Sequence, residues 1–424
     1  MPVPKVFFTS EPDTFKLKAL LWANSFDDLC YFDSNHYTDP YSAFDIFIAA
    51  GAKKKVRPTT GNSFQELDDF LINNQSYVPG YFAYDLKNEL EDLHSLNPDH
   101  LGFPEIYFFI PENTISIKGN KVQLDCTNPE FVWKTINNWI VQPQPDKPGV
   151  QILSRFTKAE YKSTIDDIKG HIQRGDIYEI NFCQEFYAED AEIDPLHTFI
   201  RLNEISPTPF SSFLKIGTRY IISATPERFL SRRGEKLISQ PIKGTSARNP
   251  DKIIDENRKI TLLADEKERT ENVMIVDLVR NDLTKSAKPG TVNVEELFGI
   301  YSFKQVHQLI STVVCEKAEG LSNPQIIANT FPMGSMTGAP KISAMKIAEL
   351  YERSKRGVYS GAVGYFGPDG NFDFNVIIRT ILYNSENKYL SFHTGGAITL
   401  NSDPEKEYDE CMLKAEAIME VLNQ

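Results

Sequence analysis

Cysteine is scarce in this 424-residue sequence, and its five cysteines lie far apart, with no Cys-x-x-Cys pair among them. An odd number of scattered cysteines argues against a disulfide framework and against a zinc site. The sequence also lacks an apolar run of about 18 residues, which a membrane-spanning helix requires. Its first residues lack the apolar stretch of a signal peptide. We therefore predict a cytoplasmic protein with no membrane partner.

Positive charge is also in short supply. The chain has 45 Lys and Arg against 58 Asp and Glu, which gives a formal net charge of −13. Such a charge opposes binding to nucleic acids and to anionic membranes, so we predict no nucleic-acid partner. An anionic small molecule can still bind, but only where local positive charge or a metal ion offsets the repulsion.

Apolar residues make up 41% of the chain and aromatic residues 12%, which is enough for a large core. One stretch has the composition of a linker, because residues 141–149 contain three prolines. It divides the chain into a predicted N-terminal subdomain, residues 1–140, and a predicted catalytic domain, residues 150–424. Nearly all of the chemically suggestive motifs lie in the second part.

The spacing of apolar residues predicts helices over 158–175, 255–283, 340–356 and 405–422. Strands are predicted over 177–187, 358–366, 372–383 and 389–399. The Pro-Asp-Gly-Asn sequence at 368–371 predicts a hairpin turn between two of these strands. Strands joined by hairpins, with helices inserted in blocks, indicate an α+β fold with antiparallel sheets rather than a doubly wound parallel sheet.

Lys243, in the sequence Gln-Pro-Ile-Lys-Gly-Thr, is the residue most informative about function. A lysine beside a glycine is commonly a solvent-exposed turn residue. Here the apolar pairs Leu237-Ile238 and Pro241-Ile242 indicate a buried strand end instead. Burial lowers the pKa of an ammonium group, and a neutral amine is a nucleophile. We therefore predict that Lys243 is a nucleophile with a lowered pKa.

Two pairs of glutamates have the spacing that places both side chains on one face of a helix. They are Glu268 with Glu271 and Glu407 with Glu410, and Lys414 adds a cation one turn further along. Solvent-exposed helix faces often show the same pattern. An apolar run follows Glu271, however, and predicts its burial, and a buried carboxylate needs a cation. Mg²⁺ suits such a site, because it binds few carboxylates together with water and ligand oxygens.

Residues 331–341 form a glycine-rich segment that contains Ser335. The segment lacks the GxxxxGK[ST] spacing of a phosphate loop, so we reject nucleotide binding. A turn into a helix N-terminus remains, where amides and the positive dipole end suit a carboxylate, although a simple helix cap has the same pattern. Arg379 is a lone charge in an apolar strand, and we predict a buried carboxylate partner for it.

In their order along the chain, these segments resemble the motifs of the chorismate-utilising enzymes. The resemblance is carried by residues 224–229, 241–245, 271–282, 334–341, 359–364, 378–380, 395–396 and 407–414, and in the N-terminal part by 39–45 and 80–85. It implies the fold of that family, in which large antiparallel β-sheets are packed as a sandwich with helices outside.

The resemblance also implies roles for individual residues in the conversion of chorismate. Glu227 would protonate the departing C4 hydroxyl, and Lys243 would attack C2 of the ring. The ligands of Mg²⁺, which would bind the ring carboxylate, would be Glu271 and Glu410, with Glu268 and Glu407 in supporting positions. The substrate would be contacted by Gly244, Thr245, Gln308, Ser335, Tyr359, Arg379, Gly395, Gly396 and Lys414.

Lys243 also sorts this chain within the family, because alanine stands there in the anthranilate branch and lysine in the para-aminobenzoate branch. Ammonia would add at C4 and expel the lysine. The sequence shows no cysteine-centred glutaminase signature, so ammonia would come from solution or from a separate glutamine amidotransferase subunit. The alternatives are anthranilate formation, isochorismate or salicylate formation, and a non-catalytic ligand-binding relative.

Three positions depart from the family pattern. Gln308 stands where a histidine is usual, and the strand register predicts that the neighbouring His307 faces the opposite way. Glu179 stands where glutamine is usual in the aminating enzymes and lysine in the isochorismate-forming ones, which argues against water as the nucleophile. Ala397 replaces the last glycine after Gly396.

Overall fold

The computed structural model describes residues 4–58, 61–142 and 149–423. The strands are β1 Lys5–Phe8, β2 Asp28–Asp33, β3 Ile46–Val56, β4 Val78–Phe82, β5 Ile106–Lys118, β6 Lys121–Asp125, β7 Leu153–Ser154, β8 Glu179–Ala188, β9 Phe210–Ile216, β10 Arg219–Thr225, β11 Arg228–Arg233, β12 Lys236–Gln240, β13 Ile242–Ala247, β14 Asn293–Ser302, β15 Val306–Glu316, β16 Gly338–Ala339, β17 Ala362–Phe366, β18 Phe372–Val376, β19 Thr380–Asn384 and β20 Tyr389–Ile398.

The α-helices are α1 Pro12–Ala23, α2 Ser63–Ile72, α3 Lys87–Leu90, α4 Pro129–Asn137, α5 Lys158–Arg174, α6 Pro195–Ile205, α7 Lys252–Ala264, α8 Glu266–Thr284, α9 Asn323–Thr330, α10 Lys341–Tyr351 and α11 Pro404–Leu422. Short 3₁₀ turns lie at Tyr84–Leu86 and Gly334–Met336. Of the helices in the described ranges, none is both long and apolar enough to cross a membrane.

The paired strands of the described residues run antiparallel throughout and form two connected sheets. The first sheet follows the order β1–β6–β5–β3–β2–β9–β10–β19–β20–β8. The second follows β4–β17–β18–β11–β12–β15, and both β13 and β14 pair with β15. The long strand β5 joins the sheets, because it pairs with β3 and β6 and, near its start, with β4. The predicted α+β class with antiparallel sheets is confirmed.

Two apolar cores lie on opposite faces of the first sheet. In β3, Phe47 and Ala49 point into one core while Ile46 and Ile48 point into the other, as the alternation of side chains in a strand requires. The first core lies between the sheets, where Phe47 shares it with Phe374 of β18. The second core is covered by α1, α4, α5, α6, α10 and α11. The predicted sandwich with helices outside is therefore confirmed.

The single helix predicted over 255–283 is wrong, because Asp265 divides it into α7 and α8. The backbone of Asp265 leaves the helical region (ψ 114°), and its side chain accepts a hydrogen bond from the N–H of Glu268. This is an N-cap, which satisfies a backbone donor that the first turn of a helix leaves free. Asp265 thus begins a new helix, and that helix carries Glu268 and Glu271.

The helix predicted over 340–356 ends early, at Tyr351, where Glu352 becomes extended (ψ 147°). The buried carboxylate of Glu352 pairs with buried Arg356 (Oε1 to Nη2 2.7 Å). Arg356 also donates to the backbone carbonyls of Met336 and Asn181. These tertiary hydrogen bonds hold the segment in a loop. Leaving the buried charges of Glu352 and Arg356 without partners would cost more free energy than another helical turn would gain.

The strand predicted over 372–383 is two strands, β18 and β19, because the chain changes sheets between them. Strand β18 pairs with β11 and β17 in the second sheet, whereas β19 pairs with β10 in the first. At the crossing, Arg379 has a left-handed backbone (φ 50°). An apolar run in the sequence does not reveal a crossing of this kind. The strand predicted over 358–366 likewise begins only at Ala362.

The predicted boundary at 141–149 falls largely on residues 143–148, which lie outside the described residues. Strands from the predicted N-terminal part pair with strands of the second part, β2 with β9 and β4 with β17. The two parts therefore share both sheets, and their division stays a prediction.

Candidate active site

A cavity of about 910 Å³ opens between strands of both sheets and the helices α8 and α11. Every residue that the sequence predicts for catalysis, substrate binding or metal binding lines this cavity. These residues span nearly 190 positions of the chain, from Glu227 to Lys414, so local sequence does not bring them together. The roles assigned to them stay predictions, but their convergence in one place is a finding.

Lys243 reaches the cavity from a bulged strand. Between Ile242 and Thr245, strand β13 has one residue more than the facing stretch of β15, and Gly244 has a positive φ of 92°. Bulges of this kind re-aim side chains beside active sites. The lysine side chain is only 11% exposed, and its Nζ lies 3.2 Å from Oε1 of Glu179, which is itself buried.

The pKa of Lys243 moves in the direction opposite to the one predicted. Burial lowers it, but the carboxylates of Glu179, Glu271 and Glu227 outweigh that effect, and the pKa lies above its ordinary value. The prediction of a lowered pKa is therefore wrong. Lys243 is an ammonium ion in this environment and must lose a proton before it can act as a nucleophile.

Glu227 lies in the tight connection between β10 and β11, with 4% of its surface exposed. Burial raises the pKa of its carboxyl to about 7, although Ser335, Lys243 and Arg379 act in the opposite direction. Near neutral pH a large fraction of carboxyl groups with this pKa is protonated, and the protonated form can donate to a leaving group. The local sequence gives no sign of this shift, because it comes from the tertiary packing.

Arg379 points into the cavity from the crossing between the two sheets. Burial lowers the pKa of its guanidinium to about 10, and the carboxyl of Glu227 partly offsets this. Glu227 is thus the carboxylate that faces Arg379, but the two form no ion pair within 4 Å among the described residues. A guanidinium in this setting can bind a carboxylate of the substrate.

The four predicted metal-binding glutamates lie on two helices that face each other, Glu268 and Glu271 on α8 and Glu407 and Glu410 on α11. Lys267 lies between the helices, with its Nζ 3.6 Å from Glu271 and 3.5 Å from Glu407. Burial raises the pKa of Glu271 to about 7. The pKa of Glu410 is lowered instead, because Lys414 pairs with it at 2.8 Å.

The donor set of this region suits a magnesium ion that is completed by other oxygens. Within the described part of the chain, no group of three or more His, Cys, Asp or Glu could hold a metal ion by itself. Mg²⁺ commonly takes one or two carboxylates and fills its octahedron with water and substrate oxygens. Oε1 of Glu271 is buried and accepts no hydrogen bond from a described residue, so it is available as a ligand.

Gly395 and Gly396 of β20 line the cavity beside the charged side chains of α11. A Cβ at Gly395 would lie 2.0 Å from the carbonyl oxygen of Phe182, so no larger residue fits there. At Gly396 a Cβ would lie 3.4 Å from Oε2 of Glu407. Nζ of Lys414 donates to the carbonyl of Gly395 at 2.8 Å. Gly395 thus allows β8 to pack closely against β20, and Gly396 leaves room for the side chains of α11.

Adjacent residues of β15 face opposite ways, as the strand register predicts. His307 is fully buried away from the cavity, where its ring nitrogens lie 2.8 Å from Ser302 Oγ and 3.0 Å from Asp255 Oδ1. Gln308 lines the cavity, and its Oε1 has no hydrogen-bond partner among the described residues. His307 therefore does not replace the histidine that is usual at position 308.

The glycine-rich segment contributes its 3₁₀ turn, rather than a helix N-terminus, to the lining of the cavity. Of residues 334–341, Ser335 and Met336 line the cavity. The strand β16 then separates this turn from α10, and Lys341 turns away to Asp282 (2.6 Å). Of the two alternatives, the structure favours the simple turn, since the helix itself begins outside the cavity.

Several residues that line the cavity were not predicted from the sequence. Lys267 precedes Glu271 by four residues, so the charge spacing of α8 could have revealed it. Asn181 of β8 and Thr394 of β20 also line the cavity. Their sequence environment gives no signal, because only the pairing of β8 with β20 brings them to the site.

The cations Lys243, Arg379 and Lys414 can bind a small anionic molecule in this cavity, whereas the glutamates of the helices would repel it unless a cation lies between them. A family model described as chorismate binding enzyme matches residues 7–420. The chain therefore belongs to the chorismate-binding enzymes.

Relatives in this family carry two different names. Anthranilate synthase component 1 of Cereibacter sphaeroides is 32% identical over 400 residues, which cover 86% of this chain and 79% of the relative. Aminodeoxychorismate synthase component 1 of Escherichia coli is 30% identical over 421 residues, 92% of each chain. The crystal structure of anthranilate synthase component I from Streptococcus pneumoniae has a TM-score of 0.78 at 24% identity and covers 90% of this chain and 93% of its own. This last likeness shows the fold.

Proposed function

We propose that the chain is component 1 of aminodeoxychorismate synthase and converts chorismate and ammonia to 4-amino-4-deoxychorismate, a precursor of para-aminobenzoate and folate. The observation that carries this proposal is the pair of Lys243 and Glu227. A buried amine and a buried carboxyl with a pKa of about 7 line the same cavity. A substitution that loses hydroxide needs both a nucleophile and an acid.

The proposed reaction has two displacements. Nζ of Lys243 bonds to C2, the ring double bonds shift, and the C4–O bond breaks while Glu227 gives its proton to the oxygen, which leaves as water. Ammonia then bonds to C4 and gives up one proton, which returns to Glu227, while the double bonds shift back and the C2–Nζ bond breaks to release Lys243. The second displacement thus restores both the lysine and the protonated carboxyl of Glu227 for another cycle.

Chorismate carries two carboxylates, and the net charge of the chain is −13, so binding needs local cations. Arg379 and Lys414 supply them on two sides of the cavity, and Ser335 and the backbone of Gly395 and Gly396 add polar contacts. Glu271 and Glu410, supported by Glu268 and Glu407, would hold Mg²⁺. The metal would neutralise the ring carboxylate and so offset its repulsion by these glutamates.

Ammonia would be supplied by a separate glutamine amidotransferase subunit. This proposal is supported by the absence of a glutaminase signature from the sequence and by the name "component 1" of the relatives. We expect ammonium salts at high pH to support synthesis by the purified chain alone, and glutamine to do so only after the amidotransferase subunit is added. Glutamine-dependent activity of the chain alone would contradict the proposal.

Anthranilate formation is the second candidate, because relatives of that name are as similar to this chain as those that make aminodeoxychorismate. The two are separated by product analysis with chorismate, magnesium and ammonium. We expect 4-amino-4-deoxychorismate, which an added lyase turns into para-aminobenzoate. Release of anthranilate, without modification of Lys243, would overturn the proposed function.

A further inference from the structure

Glu179 is a buried carboxylate to which the proposed reaction gives no part. Its side chain is 2% exposed, and Nζ of Lys243 lies 3.2 Å from its Oε1. Among the described residues Glu179 forms no other ion pair within 4 Å. Burying a carboxylate is unfavourable unless it is paired, so the position of Glu179 depends on Lys243.

The fold holds this carboxylate rigidly beside the amine. Glu179 is the first residue of β8 and pairs with Ala339 of β16, while the following residues of β8 pair with β20. Strand β8 belongs to the first sheet, and β13, which carries Lys243, belongs to the second. The ion pair therefore connects the two sheets at the wall of the cavity.

Three carboxyl groups face Lys243, each from a different element: Glu179 of β8, Glu271 of α8 and Glu227 of the connection between β10 and β11. In the proposed function Glu227 gives its proton to the C4 oxygen, and Glu271 is a ligand of the metal. Glu179 is the carboxylate that remains to take the proton of the Lys243 ammonium. We propose that Glu179 positions the amine of Lys243 and receives its proton when the amine bonds to C2.

This inference rests on the proposed function and adds a proton path to it. A proton moves from Nζ of Lys243 to Oε1 of Glu179, and the freed electron pair forms the bond to C2. When ammonia later displaces the lysine, the electron pair returns to Nζ and Glu179 gives the proton back. Glu179 touches Lys243 rather than the substrate, so it is a positioning residue.

A simple counter-ion would behave in the opposite way. Its charge would only keep Lys243 protonated and slow the attack, so Glu179→Gln, which removes the charge but keeps the size, would speed up formation of the adduct. If Glu179 instead receives the proton, Glu179→Gln slows the adduct. The sign of the change in rate therefore separates the two roles.

The experiment mixes the purified full chain with chorismate and Mg²⁺ in the absence of ammonia, quenches the mixture at short times, and follows the mass of the peptide that contains Lys243. We expect Glu179→Gln to lower the rate of adduct formation about 10²-fold, as loss of a proton acceptor does. KM for chorismate should change less than about threefold, because Glu179 does not line the cavity. Relative to that of the wild type at the same pH, the rate of the variant should rise with pH, as solvent takes over the proton.

Glu185→Gln is the matched control, because Glu185 is a buried carboxylate of the same strand that pairs with Arg155 outside the cavity. We expect it to lower the Tm and leave the adduct rate unchanged. Glu179→Asp keeps the charge but has a side chain one methylene shorter, so it should give an intermediate rate of adduct formation. It replaces Glu179→Gln as the test if that variant does not fold.

The outcomes distinguish this inference from the function on which it rests. If the wild type forms no adduct on Lys243, the proposed function is overturned and this inference with it. If the wild type forms the adduct and Glu179→Gln forms it equally fast or faster, this inference alone is overturned. A fall in rate that Glu185→Gln shares would show a general effect of lost stability and would also overturn it.

Discussion

The two walls of the cavity place their charges in different ways. On the strand wall, which carries Lys243, Glu227 and Arg379, each cation faces a carboxyl group, and the strand that carries Lys243 is held by its pairing with β15. On the helix wall, which carries the glutamates of α8 and α11, four carboxylates share the cations Lys267 and Lys414. The groups assigned to the chemistry lie on strands or on the short connections between them, and the groups that would attract a cation lie on the helices.

The largest effect should come from disturbing the helix wall. We expect excess chelator to abolish turnover, and Glu271→Ala or Glu410→Ala to do the same while the protein stays folded. Without a cation, the carboxylates of the site repel a substrate that also carries carboxylates. Activity is measured with chorismate and ammonium, and folding by circular dichroism. Glu266→Ala on the exposed face of α8 is the control, and full activity in excess chelator would rule out the metal.

Loss of the nucleophile on the strand wall comes next. Lys243→Ala should eliminate the covalent adduct that mass spectrometry detects on the wild-type protein in the absence of ammonia. Some turnover should remain, because ammonia can then attack C2 directly and form an anthranilate-type product. Lys236→Ala, which removes a lysine of β12 that pairs with Glu295, should leave the adduct intact. An adduct on the Lys243→Ala protein would show that the nucleophile is a different residue.

Glu227→Gln should lower the rate of adduct formation by about 10²- to 10⁴-fold, since an amide cannot protonate the leaving oxygen. Burial raises the pKa of Glu227 to about 7. The wild-type carboxyl is therefore protonated below that pH, and the rate should fall as the pH rises through about 7. Single-turnover rates measured from pH 5 to 9 test both statements. An unchanged rate in Glu227→Gln, with Glu235→Gln of the exposed turn as control, would assign the acid elsewhere.

The smallest effect should come from Lys267, whose side chain is 46% exposed and bridges Glu271 and Glu407. Lys267→Met should destabilise the metal-free protein by about 1 kcal/mol or less, because the lysine is half-exposed and both of its ion pairs are long. It should also tighten Mg²⁺ binding about fivefold, since a competing cation is lost. Calorimetric titration with MgCl₂ measures this. Lys285→Met, which breaks a pair with Asp282 on the same helix, should leave Mg²⁺ binding unchanged.

The parts of the fold that the sequence predicts well are those with strong local signals. Helix α5 ends at Arg174 and is followed by Gly175 with a positive φ of 85°, as predicted. The opposite orientations of His307 and Gln308 also follow from the two-residue period of a strand. The breaks at Asp265 and Arg379 escape such reasoning. An N-cap aspartate within a helical pattern looks like any other aspartate of a helix, and a change of sheet within an apolar run depends on pairing with distant strands.

The sequence by itself determined the class of fold, the order of the family motifs and the types of side chain available for chemistry. All of these depend on local features of the sequence: the spacing of apolar residues, with a period of two in strands and three to four in helices, and short motifs. Only the tertiary structure decided which of them meet, and what their charge states are. The pKa of Lys243 shows the reason: burial alone would lower it, but Glu179, Glu227 and Glu271 come from three distant segments and raise it. Electrostatic interactions depend on distance in space, and the order of residues in a chain does not specify that distance.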